Sequence, residues 1–343
     1  MNQVSKMELE IREIPEVLER LLESQAEISK VVEKIKSAKV QSVMIAARGT
    51  SDNAAHFLKH LIEVELGIPV GLASPSVVSI YKSDLNYKKT LVIALSQSGQ
   101  SPDLVRYLEA AKKGGGMTLA VTNNETSPLA DVSDNHLQLR AEKEFSIAAT
   151  KSYTAQLFIS LVLVHRWKGS ELGLSNLKAE SIRILDSLGS FENIFESIST
   201  KSSIVALGRG YSYGNAKELA LKIQETSLIA VQGMSAADYL HGPIAAVNND
   251  TRVFIFRPRG SSPEGLEKSV SRLRQKTRNL IWLGDSLNAE SGELSVDGSR
   301  IDNEQISTVL DSIILQMIAC KFAVKNGLNP DFPNGLSKVT LTL

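Results

Sequence analysis

Residues Thr90 to Asp103 read TLVIALSQSGQSPD. Thr90 to Leu95 form an apolar run that does not alternate with polar residues, the pattern of a strand covered on both faces. Ser96 to Ser101 then crowd three hydroxyls and two amides around Gly99, and Pro102 opens the helical pattern PDLVRYLEAAKKGG, closed by glycines. Strand, polar turn and helix in this order form half of a parallel β-α-β unit.

The same grammar extends in both directions. QSVMIAA reads as a buried strand, RGTSD as its turn and NAAHFLKHLIEVEL as the helix after it, while MTLAVTN reads as a further strand. Strands alternating with helices of about 10 to 15 residues predict a doubly wound parallel sheet. Upstream, Glu8 to Ser37 carries apolar positions at helical spacing and is expected to form a helix or helix pair.

The second half repeats the first. SSIVALGRGYSYGNAKELALKIQE lies over QSVMIAARGTSDNAAHFLKHLIEV with Arg209-Gly210 on Arg48-Gly49 and Ser212 on Ser51, and TRVFIFRPRGSSPEGLEKSVSRL repeats TLVIALSQSGQSPDLVRYL. An internal duplication is the simplest account. The second turn holds arginines where the first holds serine and glutamine, so the two copies need not share a task. An apolar helix over Thr150–Trp167 and a polar one over Asn176–Thr200 are expected to join the halves. The expected organisation is a helical segment over 1–40, a first domain over 41–190 and a second over 191–343, the last with a C-terminal tail that serves the site.

Composition excludes several classes. Among 343 residues, 43% are apolar, and 38 basic residues balance 38 acidic ones, which gives no reason to expect nucleic acid or a membrane surface as partner. One cysteine, Cys320, allows neither an internal disulfide nor a thiolate metal cluster and fits a reducing cytoplasm. No apolar signal core opens the chain, and the run Leu157–Val164 is far short of the roughly 20 residues that cross a bilayer. A soluble, cytoplasmic protein is expected.

Ligands of open parallel sheets bind outside the carboxyl ends of the strands, where helix N-termini present free N–H groups. The loop Ser96–Ser101 suits a phosphate oxyanion, and its lack of Lys and Arg points to neutral donors. It matches neither a P-loop nor a dinucleotide fingerprint. Taken alone, it is equally well a solvated turn with a helix cap. His56 and His60 stand at i and i+4, but HFLKH lacks the glutamate of a zinc-protease helix and offers no third ligand, so they read as a structural helix face.

SQSGQSPD after one strand and RGTS after the preceding one resemble the sugar isomerase (SIS) domain family. The duplicated domain resembles the two-SIS-domain isomerase part of the glucosamine-6-phosphate synthases. EFSIAATKSYTAQL, ALKIQETSLIAVQGMSAADYLHGP and NPDFPNGLSKVTLTL resemble further segments of that enzyme in the same order. The resemblance implies an α/β protein of two tandem, doubly wound, flavodoxin-like SIS domains with parallel sheets. It also implies that Gly49, Thr50, Ser51, Ser96, Gln97, Ser98, Ser101 and Ile147 hold the phosphate and sugar. By the same resemblance, Glu225 moves a proton between C1 and C2, His241 opens the sugar ring from the neighbouring subunit of a homodimer, Lys222 sits near the reacting centre and Lys338 can form a Schiff base. Neither metal nor cofactor is implied.

These residue types suit the chemistry. An aldose-ketose isomerisation needs a partly buried carboxylate as base, ring opening needs a group that trades protons at neutral pH, and a lysine amine can attack a carbonyl. Outside the flanking motifs, Lys222 and Glu225 at i and i+3 would read as a surface pair, His241 as a turn histidine and Lys338 as a solvated chain-end lysine.

The synthases carry an N-terminal glutaminase domain whose nucleophile is a cysteine. Here Asn2 is the second residue and about 40 residues precede the first strand, so the expectation is an isomerase half that works alone, most readily as a glucosamine-6-phosphate deaminase. Ala149 stands where the synthases have serine and Leu240 where they have lysine, so the substrate can differ in its sugar or amine. A fructosamine-6-phosphate deglycase is the enzymatic alternative. A non-catalytic phosphosugar sensor is the alternative of another class, although no helix-turn-helix or basic patch precedes the domain.

Overall fold

The computed structural model describes residues 4–189, 191–198, 203–262 and 264–338. The chain opens with three helices, α1 (Lys6–Arg12), α2 (Ile14–Glu23) and α3 (Gln25–Ala38), where one or two were expected. The first repeat follows as β1 (Ser42–Ala46), α4 (Thr50–Leu66), β2 (Val70–Leu72), the single turn α5 (Ser76–Ser79), β3 (Thr90–Ser96), α6 (Pro102–Lys113), β4 (Met117–Thr122), α7 (Pro128–Val132) and β5 (Asn135–Gln138). Then come α8 (Lys151–Lys168), α9 (Leu177–Ser187) and α10 (Glu192–Ser197). The expected single helix over Asn176–Thr200 is thus two, because Leu188 turns to an extended conformation (ψ 93°) ahead of Gly189. The second repeat comprises β6 (Ile204–Gly208), α11 (Tyr213–Ser227), β7 (Val231–Ser235), α12 (Ala236–Tyr239), β8 (Arg252–Arg257), α13 (Glu264–Arg274), β9 (Leu280–Gly284), β10 (Leu294–Asp297) and α14 (Glu304–Lys325).

Both sheets are five-stranded, every pair is parallel, and the strand orders are β2-β1-β3-β4-β5 and β7-β6-β8-β9-β10. The two orders are identical, as a duplication requires. In each, the direction of winding reverses between the first and third strands of the repeat. That reversal opens a crevice at their carboxyl ends. It falls between β1 and β3, where the loops RGTS and SQSGQS stand, and again between β6 and β8.

The chain divides into two compact units that do not follow the repeats strictly. One carries the second sheet and takes in the described residues up to Pro15, Phe145–Thr150 and Asn176–Leu336. The other carries the first sheet, with Glu16–Glu144, Lys151–Ser175 and the tail from Ser337. Within the first-sheet unit, α8 is buried from Lys151 to His165 and packs on α3 and α4. Within the second-sheet unit, α14 takes the same role against α11. By length and composition α14 could cross a membrane, a feature that Leu157–Val164 does not share. Its 18-residue window of mean hydropathy 1.5 is 94% buried, so it serves as the core helix of its unit. Burial pushes the Cys320 thiol on α14 up to about 11, which leaves it a packing group.

Helix α1 joins the same core. Met7 and Ile11 are wholly buried, Asp331 accepts hydrogen bonds from the backbone of Lys6 (2.9 Å) and Met7 (2.8 Å), and Glu8 pairs with Lys321 and, at 2.9 Å, with Arg12. Those cations hold the Glu8 carboxyl below its usual range although desolvation pushes it the other way.

Candidate active site

In the first-sheet unit the loop after β3 is held from inside. Ser96 Oγ accepts from the Gly99 N–H (3.1 Å), Asn123 N–H donates to Gln97 O (3.0 Å), and Leu129 N–H donates to Gly99 O (3.2 Å). Gly99 has φ +65°, and a Cβ there would lie 2.2 Å from Ser127 Oγ. The glycine therefore serves a close approach to Ser127, a contact the sequence reading did not anticipate. Ser101 occupies the N-cap of α6, yet its hydroxyl makes no capping hydrogen bond. Ser98 Oγ accepts only weakly, from Gln100 N–H at 3.2 Å.

The loop after β1 faces the same crevice. Gly49 caps α4 at φ 54°, ψ −129°, a conformation that favours glycine, and Thr50 and Ser51 form the first helical turn. Ser51 is 6% exposed and its Oγ accepts from Gln156 Nε2 on α8 at 2.9 Å. Arg48 stands at the crevice but is engaged. Its Nε (3.0 Å) and Nη2 (2.8 Å) both reach Asp103 Oδ2, and the Asp103 side chain is fully buried in the first turn of α6. The ion pair ties the two loops together and leaves hydroxyls, Gln97 and helix N-termini as the donors.

Lys338 belongs to this unit. Its Nζ lies 2.9 Å from Glu144 Oε2, and the Glu144 side chain is fully buried, accepting also from Ser152 N (3.2 Å) and Ser152 Oγ (2.9 Å). Glu144 therefore fixes the amine of a tail residue 194 positions away.

In the second-sheet unit, the last turns of α11 hold Glu218, Lys222 and Glu225 in a row. Glu218 and Lys222 have side chains with no exposure, while Glu225 is 23% exposed. Lys222 Nζ stands 3.5 Å from Glu218 Oε1 and in direct contact with Glu225 Oε2. One helical face thus gives carboxylate, ammonium, carboxylate, with only the last open to solvent. His241 is exposed on the turn after α12, where its N–H donates to Asp238 O (3.0 Å), and Gly242 follows with φ +150°. Ile147 donates its N–H to Asp331 O (3.0 Å) in the same unit.

The structure therefore gathers Gly49, Thr50, Ser51, Ser96, Gln97, Ser98, Ser101 and Lys338 on the first-sheet unit, and Glu225, Lys222, His241 and Ile147 on the second-sheet unit. Asp103, Glu144 and Glu218 were not singled out in the sequence. Of these, Asp103 stood inside the quoted motif, and Glu218 at i−4 from Lys222 was readable as a helical neighbour. Glu144 opened the quoted stretch EFSIAATKSYTAQL, but nothing local pointed to Lys338 as its partner. His56 and His60 carry ordinary helix contacts, His56 Nε2 lying 3.9 Å from Asp52 Oδ2 and His60 Nδ1 2.8 Å from His56 O.

A family model described as SIS domain matches residues 34–166 and 197–325, one segment per repeat. The glutamine-fructose-6-phosphate aminotransferase (isomerizing) of Methanothermobacter thermautotrophicus is 31% identical over 335 residues, covering 96% of this chain and 56% of that protein. The chain thus spans about half the length of the curated relatives it matches. The C-terminal domain of glucosamine-fructose-6-phosphate aminotransferase from Francisella tularensis is 25% identical, with a TM-score of 0.84 and coverage of 97% and 99% of the two chains. A glucosamine-6-phosphate deaminase from Thermotoga maritima shares the fold, with a TM-score of 0.77 at 24% identity over 98% of this chain and all of that one. The chain belongs to the SIS domain family and carries two SIS segments in tandem.

Proposed function

We propose that the chain is an amino-sugar-phosphate isomerase of the deaminase type, which converts glucosamine 6-phosphate and water to fructose 6-phosphate and ammonia. The observation that carries this reading is the row Glu218, Lys222 and Glu225, in which two buried charges position one accessible carboxylate. Glu225 takes the C2 proton of the open-chain amino sugar and returns it to C1, while O1 gains a proton and the amine nitrogen loses one, so that the C1 aldehyde becomes an alcohol and C2 becomes an imine. Water adds to the imine and ammonia leaves. The reaction balances with substrate and water alone.

The phosphate is bound by Ser96, Gln97, Ser98, Ser101, Thr50 and Ser51 with the N-termini of α4 and α6. His241, exposed on its turn, opens the ring and acts on the site of a second copy in a homodimer. Glu144 holds the Lys338 amine for contact with the carbonyl carbon. The single cysteine, buried and free, supports work in a reducing cytoplasm. Purified protein is expected to release ammonia stoichiometrically with fructose 6-phosphate. Glu225→Gln lowers kcat by roughly 10²- to 10⁴-fold while phosphosugar affinity changes little. Turnover of a fructosamine 6-phosphate without ammonia release from glucosamine 6-phosphate would replace this reading with the deglycase, and phosphosugar binding with no turnover of either would replace it with a sensor.

A further inference from the structure

The second crevice, between β6 and β8, has a chemistry of its own. It encloses a cavity of about 120 Å³ whose walls include Arg209, Ser212, Ser261, Ser262, Gly265 and Glu304. That volume is about four times the share of one water in the liquid and well below a drug-sized pocket, so it holds one tetrahedral oxyanion with the rest of any ester outside.

Two helix N-termini meet there. The first turn of α13 supplies Gly265, over which the Arg209 stem packs, since a Cβ on Gly265 would lie 3.1 Å from Arg209 Cγ. Gly260, at φ +85°, leaves so little room that a Cβ would lie 2.8 Å from Glu304 N, which presses the loop RPRGSS against the start of α14. The first four N–H groups of a helix lack intrahelical partners, and both helix dipoles present their positive ends. Ser261 Oγ is shielded from solvent, borders the cavity and has no hydrogen-bond partner. Arg257, 7% exposed on the same loop's approach, keeps Nε and Nη1 without a hydrogen-bond partner, 4.0 Å from Asp285 at its nearest ion contact. Arg259, with an unpartnered Nε, stands 3.9 Å from the same aspartate. Ser212, unlike Ser51, spends its hydroxyl on Arg209, donating to its carbonyl (3.0 Å) and accepting from its N–H (3.1 Å). Burial raises the Glu304 carboxyl to about 7, so near neutrality it is available in its protonated, donating form.

We infer that this cavity is a second phosphoryl-binding site, separate from the loop Ser96–Ser101, in which Arg209, Ser261 and the N-termini of α13 and α14 hold the oxyanion. The test is calorimetric titration of the whole chain with inorganic phosphate and with fructose 6-phosphate. Two equivalents bind per wild-type chain. Gly265→Asp, which suits a first helical turn while placing a carboxylate at the cavity, and Arg209→Ala each remove one equivalent or weaken it at least tenfold. Ser98→Ala/Ser101→Ala weakens the other equivalent. Binding by both probes or by the ester alone supports the inference and names the source. Stoichiometry and affinity unchanged in both Gly265→Asp and Arg209→Ala overturn it. Loss of an equivalent with these two variants but not with the Ser98/Ser101 pair supports the second site and counts against the first-crevice role proposed above.

Discussion

Gly99→Ala tests whether the loop Ser96–Ser101, the proposed phosphate site, is shaped by backbone geometry. The glycine has φ +65°, and the left-handed region costs a residue with a Cβ about 1–2 kcal/mol. The added methyl would also lie 2.2 Å from Ser127 Oγ and 2.5 Å from Ser127 Cβ, and overpacking of this kind costs about 1–3 kcal/mol. The sum is a destabilisation of about 2–5 kcal/mol, read from urea unfolding. Ser127→Gly removes both colliding atoms. Since Ser127 caps α7 by accepting from Ala130 N–H at 3.3 Å, that change alone costs only a few tenths of a kcal/mol. The double variant should regain the packing share and retain the conformational share of about 1–2 kcal/mol. In kinetics, under the role proposed above, in which the loop holds the phosphate and not the reacting carbons, its displacement raises KM more than it lowers kcat. A Gly99→Ala protein as stable as wild type, or one that Ser127→Gly does not rescue at all, refutes the argument.

Two further outcomes are expected. Asp311 is fully buried on α14; desolvation lifts its carboxyl to about 7 with a further push from Asp285 and Glu180, against the Ser299 N–H hydrogen bond and Arg183. The folded state therefore keeps a proton that the unfolded chain loses near pH 4, so stability falls as pH rises from about 4 to about 7, by about 1.4 kcal/mol per pH unit and ~4 kcal/mol in all. Asp311→Asn should remove this slope and gain most at pH 8 in urea titrations, whereas parallel pH profiles for the two proteins would contradict it. In the second case, mixing His241→Ala with Glu225→Gln protein should restore activity if His241 serves a partner's site, and mixtures as inactive as their parents would place it in its own subunit's site.

Much of the fold could be read from local sequence because its signals are local. TLVIAL is buried on both faces from Leu91 on and QSVMIAA is buried at Val43 and Ile45–Ala47 with Met44 half-buried, so their apolar runs are unbroken, and SQSGQS and RGTS mark the turns that follow. The repeat was legible because Arg209-Gly210 and Arg48-Gly49 sit at the same strand-to-helix step, and the matching strand orders follow from it. Contacts across long sequence distances escaped the reading. Glu144 meets Lys338 across 194 positions, Gln156 reaches Ser51 across 105, and the need for glycine at position 99 comes from Ser127. The engagement of Arg48 by Asp103 was hidden for the same reason, although it leaves hydroxyls, Gln97 and helix N-termini as the donors at the first crevice.

The packing of α1 on α14 also bears on synthesis. Met7 and Ile11 are wholly buried in the finished fold, yet the partners of their helix, Cys320, Lys321 and Asp331, lie more than 300 residues downstream. At ribosomal rates of about 5–20 residues per second, an interval of roughly 15 to 60 seconds separates the emergence of the two. Throughout it, Met7 and Ile11 lack the α14 face on which their helix packs. The first sheet can form in that time. The second-sheet unit cannot close until α14 leaves the ribosome, so α1 waits through the synthesis of both sheets before it is seated.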